Sequence, residues 1–212
     1  MLARLALICC LFSALPAVGV AGTITTTFAG GNGQAGNMFD LTVGNNPLTV
    51  TRLDINVSQF AGSPGDPVPL AVYLKVGSYV GAESTPAAWT LVSSTPMTAV
   101  NPSGVPTPVD VTDFTLAANT TYGVYVLFRG QPNGPDPTTY LAYTNGVNVY
   151  SNADLSLTLG VGLRGEFGTV FSPRTWNGTV HYDVTAVPAP AGLVLAGLGV
   201  PALALLRRRT PA

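Results

Sequence analysis

Charge is scarce in this chain, with Asp, Glu, Lys and Arg together making up 9% of 212 residues. Four of the nine basic residues, Arg4, Arg207, Arg208 and Arg209, lie in the two terminal segments. The centre keeps Arg52, Lys75, Arg129, Arg164 and Arg174 against all ten acids, a net of about −5. A binder of phosphates needs a basic face, so this balance argues against nucleic acid as a partner and favours solubility instead. Cysteine is rarer still. Cys9 and Cys10 both fall inside a leader-like start, so the rest of the chain has no thiol, no disulfide and no cysteine metal site. Histidine occurs once, at His181. An amphipathic helix is missing from the centre too: the nearest candidate, "GAESTPAAW", is interrupted by Pro86.

What is present is turn chemistry and alternation. The 24 Gly and 18 Pro fall mainly between apolar runs, and 47% hydrophobic residues suffice for a core. The length suits one domain of about 100 to 200 residues with appendages. In "PVPLAVYLKV", Val68, Leu70, Val72 and Leu74 alternate with Pro69, Ala71, Tyr73 and Lys75, which predicts a half-buried strand. In "TYGVYVLFR" both faces are apolar, which predicts a central strand. "PLTVTRLDINV" slips phase by one near Arg52, as a bulge or a meeting of two strands would cause. "TWNGTVHYDV" predicts a last strand with Trp176, Gly178, Val180, Tyr182 and Val184 on one face and Asn177, Thr179, His181 and Asp183 on the other. Further strands are expected at "TITTTF", "NMFDLTV", "WTLVSS", "TPVDVTDF", "TTYLAYT" and "DLSLTLGVG". About ten short strands with regular turn signals predict an all-β fold, an antiparallel β-sandwich of jelly-roll-like type, over residues 22–186.

The two ends differ from this centre. Arg4, an apolar run from Leu5 to Leu15, Pro16 and the small residues Gly19 and Ala21 predict a signal peptide over residues 1–21, cut between Ala21 and Gly22. At the other end, Pro190 to Leu206 is an uncharged apolar run. As a helix it rises about 25 Å, slightly short of a hydrocarbon core of about 30 Å, and arginine side chains that snorkel make up the difference. Residues 190–206 are therefore expected as a single transmembrane helix, with Arg207 to Arg209 as a basic tail held on the cytoplasmic side.

Val187-Pro188-Ala189-Pro190, a Gly/Leu-rich apolar helix and Arg207-Arg208-Arg209, paired with a signal peptide, together resemble the PEP-CTERM sorting signal of Gram-negative bacteria. Ala189 stands where that family carries glutamate. The resemblance covers residues 187–212. It implies recognition and cutting by an exosortase, transient anchoring in the inner membrane, and delivery to the cell surface or an exopolysaccharide matrix. The centre also resembles β-sandwich domains that accompany such tails, through "GGNGQAGNMFDL", "VYLKVGSYVG", "AAWTLV", "TTYGVYV" and "RTWNGTVHYD". That second likeness implies no known activity.

No catalytic constellation emerges from the centre. No G-x-S-x-G elbow accompanies His181, which reads as a solvent-facing strand residue. The loops around Asp66, Asp136 and Asp154 have the oxygen-rich character that Ca²⁺ ligation uses. Without EF-hand or RTX spacing they read as turn acids, so no metal or other cofactor is expected. Trp176 reads as core, whereas Tyr79 and Trp89 flank a glycine-rich turn and are the candidates for an exposed, sugar-stacking platform. Asn56, Asn119 and Asn177 begin N-x-S/T sequons. The expectation is an exported, non-catalytic surface or matrix protein, with a carbohydrate-binding module as the alternative and a secreted hydrolase behind it.

Overall fold

The computed structural model describes residues 19–60, 68–97, 100–129 and 139–185. In chain order the strands are β1 (Val20–Thr25), β2 (Asn32–Gln34), β3 (Gly36–Val43), β4 (Leu48–Ile55), β5 (Val57–Phe60), β6 (Val68–Val76) and β7 (Thr90–Met97). They continue with β8 (Thr107–Leu116), β9 (Thr121–Phe128), β10 (Thr139–Asn145), β11 (Val149–Ser151), β12 (Leu155–Arg164), β13 (Thr169–Trp176) and β14 (Gly178–Val184). The "GAESTPAAW" segment contributes one 3-10 turn, Pro86–Ala88. A small sheet runs β1-β14-β4-β8. A large one runs β2-β10-β13-β12-β3-β9-β6-β7, with β11 beside β12 and β5 beside β10. All strand pairings are antiparallel.

The inner faces meet in one core. The small sheet supplies Ile24, Leu48, Val50, Leu53, Ile55, Val109, Val111, Phe114, Leu116, Val180 and Tyr182, and the large sheet answers with Phe39, Leu41, Leu70, Val72, Val124, Val126, Phe128 and Trp176. This is a β-sandwich, two sheets whose inward residues alternate with outward ones along each strand. Trp176 is 1% exposed and stacks on Phe39 with ring centroids 4.9 Å apart. Burial of each large apolar side chain in such a core contributes about 1.5–3 kcal/mol. The phase slip near Arg52 is a bulge. Against β14, Val50 pairs with Tyr182 and Arg52 with His181, so Thr51 is the extra residue.

The outer face of the large sheet is covered as well, which corrects the half-buried reading of β6. Ala71 and Tyr73 point away from the core yet are buried with Met38, Tyr125, Leu127, Val161 and Leu163 under Tyr79, Ala82 and Trp89. Tyr79 and Trp89 are only 7% and 8% exposed, so the expected open aromatic platform is not there. Their rings are turned inward because the segment after β6 folds back over the sheet. Asp40 holds it, accepting from Tyr79 N–H at 2.9 Å and Ser78 Oγ at 2.6 Å, and Trp89 Nε1 donates to Ala82 C=O at 2.9 Å. Gly123 in β9 permits the close approach, since a Cβ there would stand 2.8 Å from Tyr79 N. β9 lies between β3 and β6, as its two apolar faces predict.

The "TWNGTVHYDV" stretch divides in a way its alternation does not reveal. Its faces are as expected, but β13 belongs to the large sheet and β14 to the small one, with the crossing at Asn177. Asn56 makes the corresponding crossing between β4 and β5. Asn56 N–H donates to Asn177 C=O at 3.3 Å, Asn177 N–H to Ala142 C=O at 3.3 Å, and Ala142 N–H to Asn56 C=O at 2.8 Å. The Asn56 side chain donates from Nδ2 to Phe28 C=O at 3.0 Å and accepts at Oδ1 from Gly104 N–H at 2.9 Å. Four further elements, β2, β5, β11 and the first half of β13, lie outside the strands expected from alternation, being short or broken by Pro173.

Residues 1–18 and 186–212 lie outside the described residues, as do Asp66 and Asp136. That includes the expected signal peptide up to Val18, Val187, Pro188, Ala189, Pro190, the 190–206 helix and Arg207, Arg208 and Arg209. Among the described residues no helix is long and apolar enough to cross a membrane. β1 starts at Val20, two residues ahead of the expected domain boundary.

Asn56→Ala strips Phe28 C=O and Gly104 N–H of their partners in a buried corner, and denaturant unfolding should show a loss of about 2 kcal/mol or more. A second expectation concerns alkali. Burial raises the Tyr125 phenol above its ordinary value of 10.0. Above that pH the unfolded chain releases this proton while the folded one keeps it, so stability is full below pH 10 and falls above it. Urea melts between about pH 8 and about pH 11 should show this decline, and Tyr125→Phe should lessen it, the rest coming from Tyr73, Tyr79 and Tyr182, which burial also raises.

Candidate functional site

The outer face of the small sheet carries the only histidine of the sequence. Register places His181 of β14 opposite Arg52 of β4, and Thr179 opposite Asp54. The bulge at Thr51 sets both Arg52 and Asp54 on the outer face, so the three side chains converge. His181 Nε2 is 2.7 Å from Asp54 Oδ2, and Arg52 Nη2 is 3.0 Å from the same nitrogen and 3.4 Å from Nδ1. Arg52 Nε reaches to 3.3 Å from Asp54 Oδ1. Side-chain exposure falls from 47% for Arg52 to 21% for His181 and 13% for Asp54. The cluster borders a shallow depression of 340 Å³ lined by Ala21, Gly22, Thr23, Thr51, Arg52, His181, Tyr182 and Asp183.

This corrects the expectation of a solvent-facing histidine: His181 is held by a partly buried carboxylate. Nε2 is the ring nitrogen nearest both the Asp54 carboxylate and the Arg52 guanidinium. Among the described residues no hydroxyl or thiol is hydrogen-bonded to His181, and a half-exposed guanidinium stands at the rim of the depression. The sequence singled out His181 but not Arg52 or Asp54. Their alternation on the polar side of β4 was visible, whereas the adjacency of β4 and β14 was not.

The other candidates fall elsewhere. Ala21 and Gly22 both lie in β1, paired with Asp183 and Tyr182. Asp154 sits in a turn where Asn152 Oδ1 accepts from its N–H at 3.0 Å, and its carboxylate accepts from Tyr182 Oη at 3.1 Å. Among the described residues no group of three or more His, Cys, Asp or Glu is placed to hold a metal. Of the three sequon asparagines, Asn56 and Asn177 are fully buried and Asn119 is exposed. Tyr79 and Trp89 stand on the opposite sheet from His181, inside the outer cluster.

The chain matches no family model and no curated protein.

A double-mutant cycle checks the coupling within the cluster. Asp54→Asn and His181→Ala should each cost about 1–2 kcal/mol in urea unfolding, and the double variant should cost less than their sum, because one interaction is lost in all three.

Proposed function

We propose that the chain is exported by its signal peptide, held for a time in the inner membrane by the 190–206 helix, and released to the cell surface or extracellular matrix. An exosortase acting at Val187-Pro188-Ala189-Pro190 would make the release. The domain itself then serves a non-catalytic, structural or adhesive role. In its finer form the fold is a jelly-roll-like sandwich, for which support comes from the chain changing sheets after β1, β3, β4, β7, β8 and β13.

One observation carries the sorting reading. β1 and β14 are neighbours, with Val20 opposite Val184, so the chain enters and leaves the sandwich side by side at one end of the small sheet. Side-by-side entry and exit suit a domain tethered to a single membrane face.

A second reading, carbohydrate binding, loses Tyr79 and Trp89 as its platform and passes to the depression beside Arg52, whose lining of Thr23, Thr51, Arg52 and Asp183 suits sugar hydroxyls. Extracellular polysaccharide is its partner.

Intact-mass analysis of the protein recovered from the cell surface should give a chain starting at Gly22 and ending near residues 187–190. Surface material that still carries Arg207 to Ala212 would overturn the sorting reading. Binding to the producer's polysaccharide, weakened at least about tenfold by Arg52→Ala, would favour the second reading.

A further inference from the structure

We propose that a strip of Arg174, Tyr143, Phe171 and Arg164 on the large sheet binds an acidic polysaccharide, one that carries carboxylates at intervals along an otherwise neutral chain. This goes beyond the readings above, since the strip is separate from the depression beside Arg52 and involves none of the sorting segments.

Register brings the four side chains together. β13 runs between β10 and β12, and Arg174 lies opposite Asn145 on one side and Gly160 on the other. Phe171 lies opposite Gly162, and Thr169 opposite Arg164. The Tyr143 ring fills the room that Gly162 leaves, since a Cβ there would stand 2.6 Å from it. The Arg174 guanidinium covers that ring, with Cζ 5.2 Å from its centroid. Arg164 Cζ lies 5.8 Å from the centroid of Phe171. Cation, ring, ring and cation follow one another across neighbouring strands.

These two cations lack a counter-charge. Of the five basic residues of the domain, Arg52 pairs with Asp54, Arg129 pairs with Glu166, and Lys75 donates to the Ser78 and Val76 carbonyls. Among the described residues Arg164 and Arg174 pair with no acid. Glu166, the acid nearest to Arg164 along the chain, is committed to Tyr73 and Arg129. Arg174 donates from Nη1 to Pro173 C=O at 2.8 Å, and Nε of both arginines is buried with no acceptor among the described residues. A guanidinium held flat on a ring loses little freedom on taking a carboxylate through two N–H donors.

Spacing and surroundings select the ligand class. From Gly160, opposite Arg174, to Arg164 is four residues of β12, or about 13 Å of strand. A single carboxylate does not bridge that interval, whereas a chain with acids on spaced units does. Beside the cations stand neutral polar groups: Thr169 and Asn145, directly opposite Arg164 and Arg174, are exposed and offer a hydroxyl and an amide. Both suit sugar hydroxyls. Two cations in a domain with ten acids are too few for nucleic acid, whose closely spaced phosphates call for a basic face.

The test uses hyaluronate, in which carboxylate-bearing sugars alternate with neutral ones. The full-length chain in detergent is titrated by calorimetry at about 10 mM and about 1 M salt, where the Debye length is about 30 Å and about 3 Å. Hyaluronate should bind at low salt and not at high salt, and neutral dextran should not bind. Arg164→Gln and Arg174→Gln should each weaken binding at least about tenfold, with Arg164→Lys in between, because it keeps the charge but not the fork. Arg52→Gln should bind as the parent does. Melts followed by tryptophan fluorescence check that the variants fold. Hydrogen–deuterium exchange on the unaltered chain gives a readout independent of them, with hyaluronate slowing exchange in β12 and β13. Slowing in β4 and β14 instead, or binding lost only in Arg52→Gln, would overturn the strip and move the sugar to the depression. No binding of hyaluronate at low salt, or equal binding of dextran or single-stranded DNA, would overturn the proposal outright.

Discussion

Asn56, Ala142 and Asn177 close a ring of backbone hydrogen bonds in which each residue donates to one neighbour and accepts from the other. At this corner two chains leave the small sheet together, and the ladder that served β4 and β14 cannot follow them. Backbone groups stranded at such a bend must find partners or pay the cost of burial. The ring satisfies the main chain, and Asn56 extends it to Phe28 and Gly104 through its side chain. Asparagine suits the position because one short side chain offers both a donor and an acceptor. With the corner fixed, the pairing of β4 with β14 and the docking of β5 and β13 on β10 follow together.

The two sheets meet solvent differently. The large one buries both faces along β3, β6 and β9, where its outer side is sealed by the segment carrying Tyr79, Ala82 and Trp89 and by Phe167, whose ring meets Tyr125 at 5.0 Å. The small one carries the polar cluster of Arg52, Asp54 and His181 on its outer face. The aromatic rings of Tyr79 and Trp89 are thus consumed by packing. This separation weakens any account built on stacked sugars and leaves a guanidinium at the rim of a depression as the feature a ligand would meet first on the small sheet.

Strand order also ties the domain to its ends. Because the first strand pairs with the last, completion of the small sheet waits for the end of the domain to be delivered, and such non-local pairing is slow to form for entropic reasons. The same neighbour relation puts entry and exit of the chain side by side.

Alternation alone determined that this chain is all-β, which stretches form its main strands, and which face of each is apolar. The central position of β9, the phase slip near Arg52 and the core role of Trp176 were legible because period-two burial is a local property of an extended backbone. Short pieces such as β2 and β11 carried too few residues to show a period. Exposure of Tyr79 and Trp89 was misjudged, since a turn-rich segment gives no sign that it folds back onto the outer face of a sheet. The site at His181 was only one-third visible: Arg52 and Asp54 come from a strand more than a hundred residues earlier. Which strands become neighbours, and where a continuous run changes sheet, was decided by tertiary structure, because pairing depends on burying both inner faces at once and no local pattern encodes that choice.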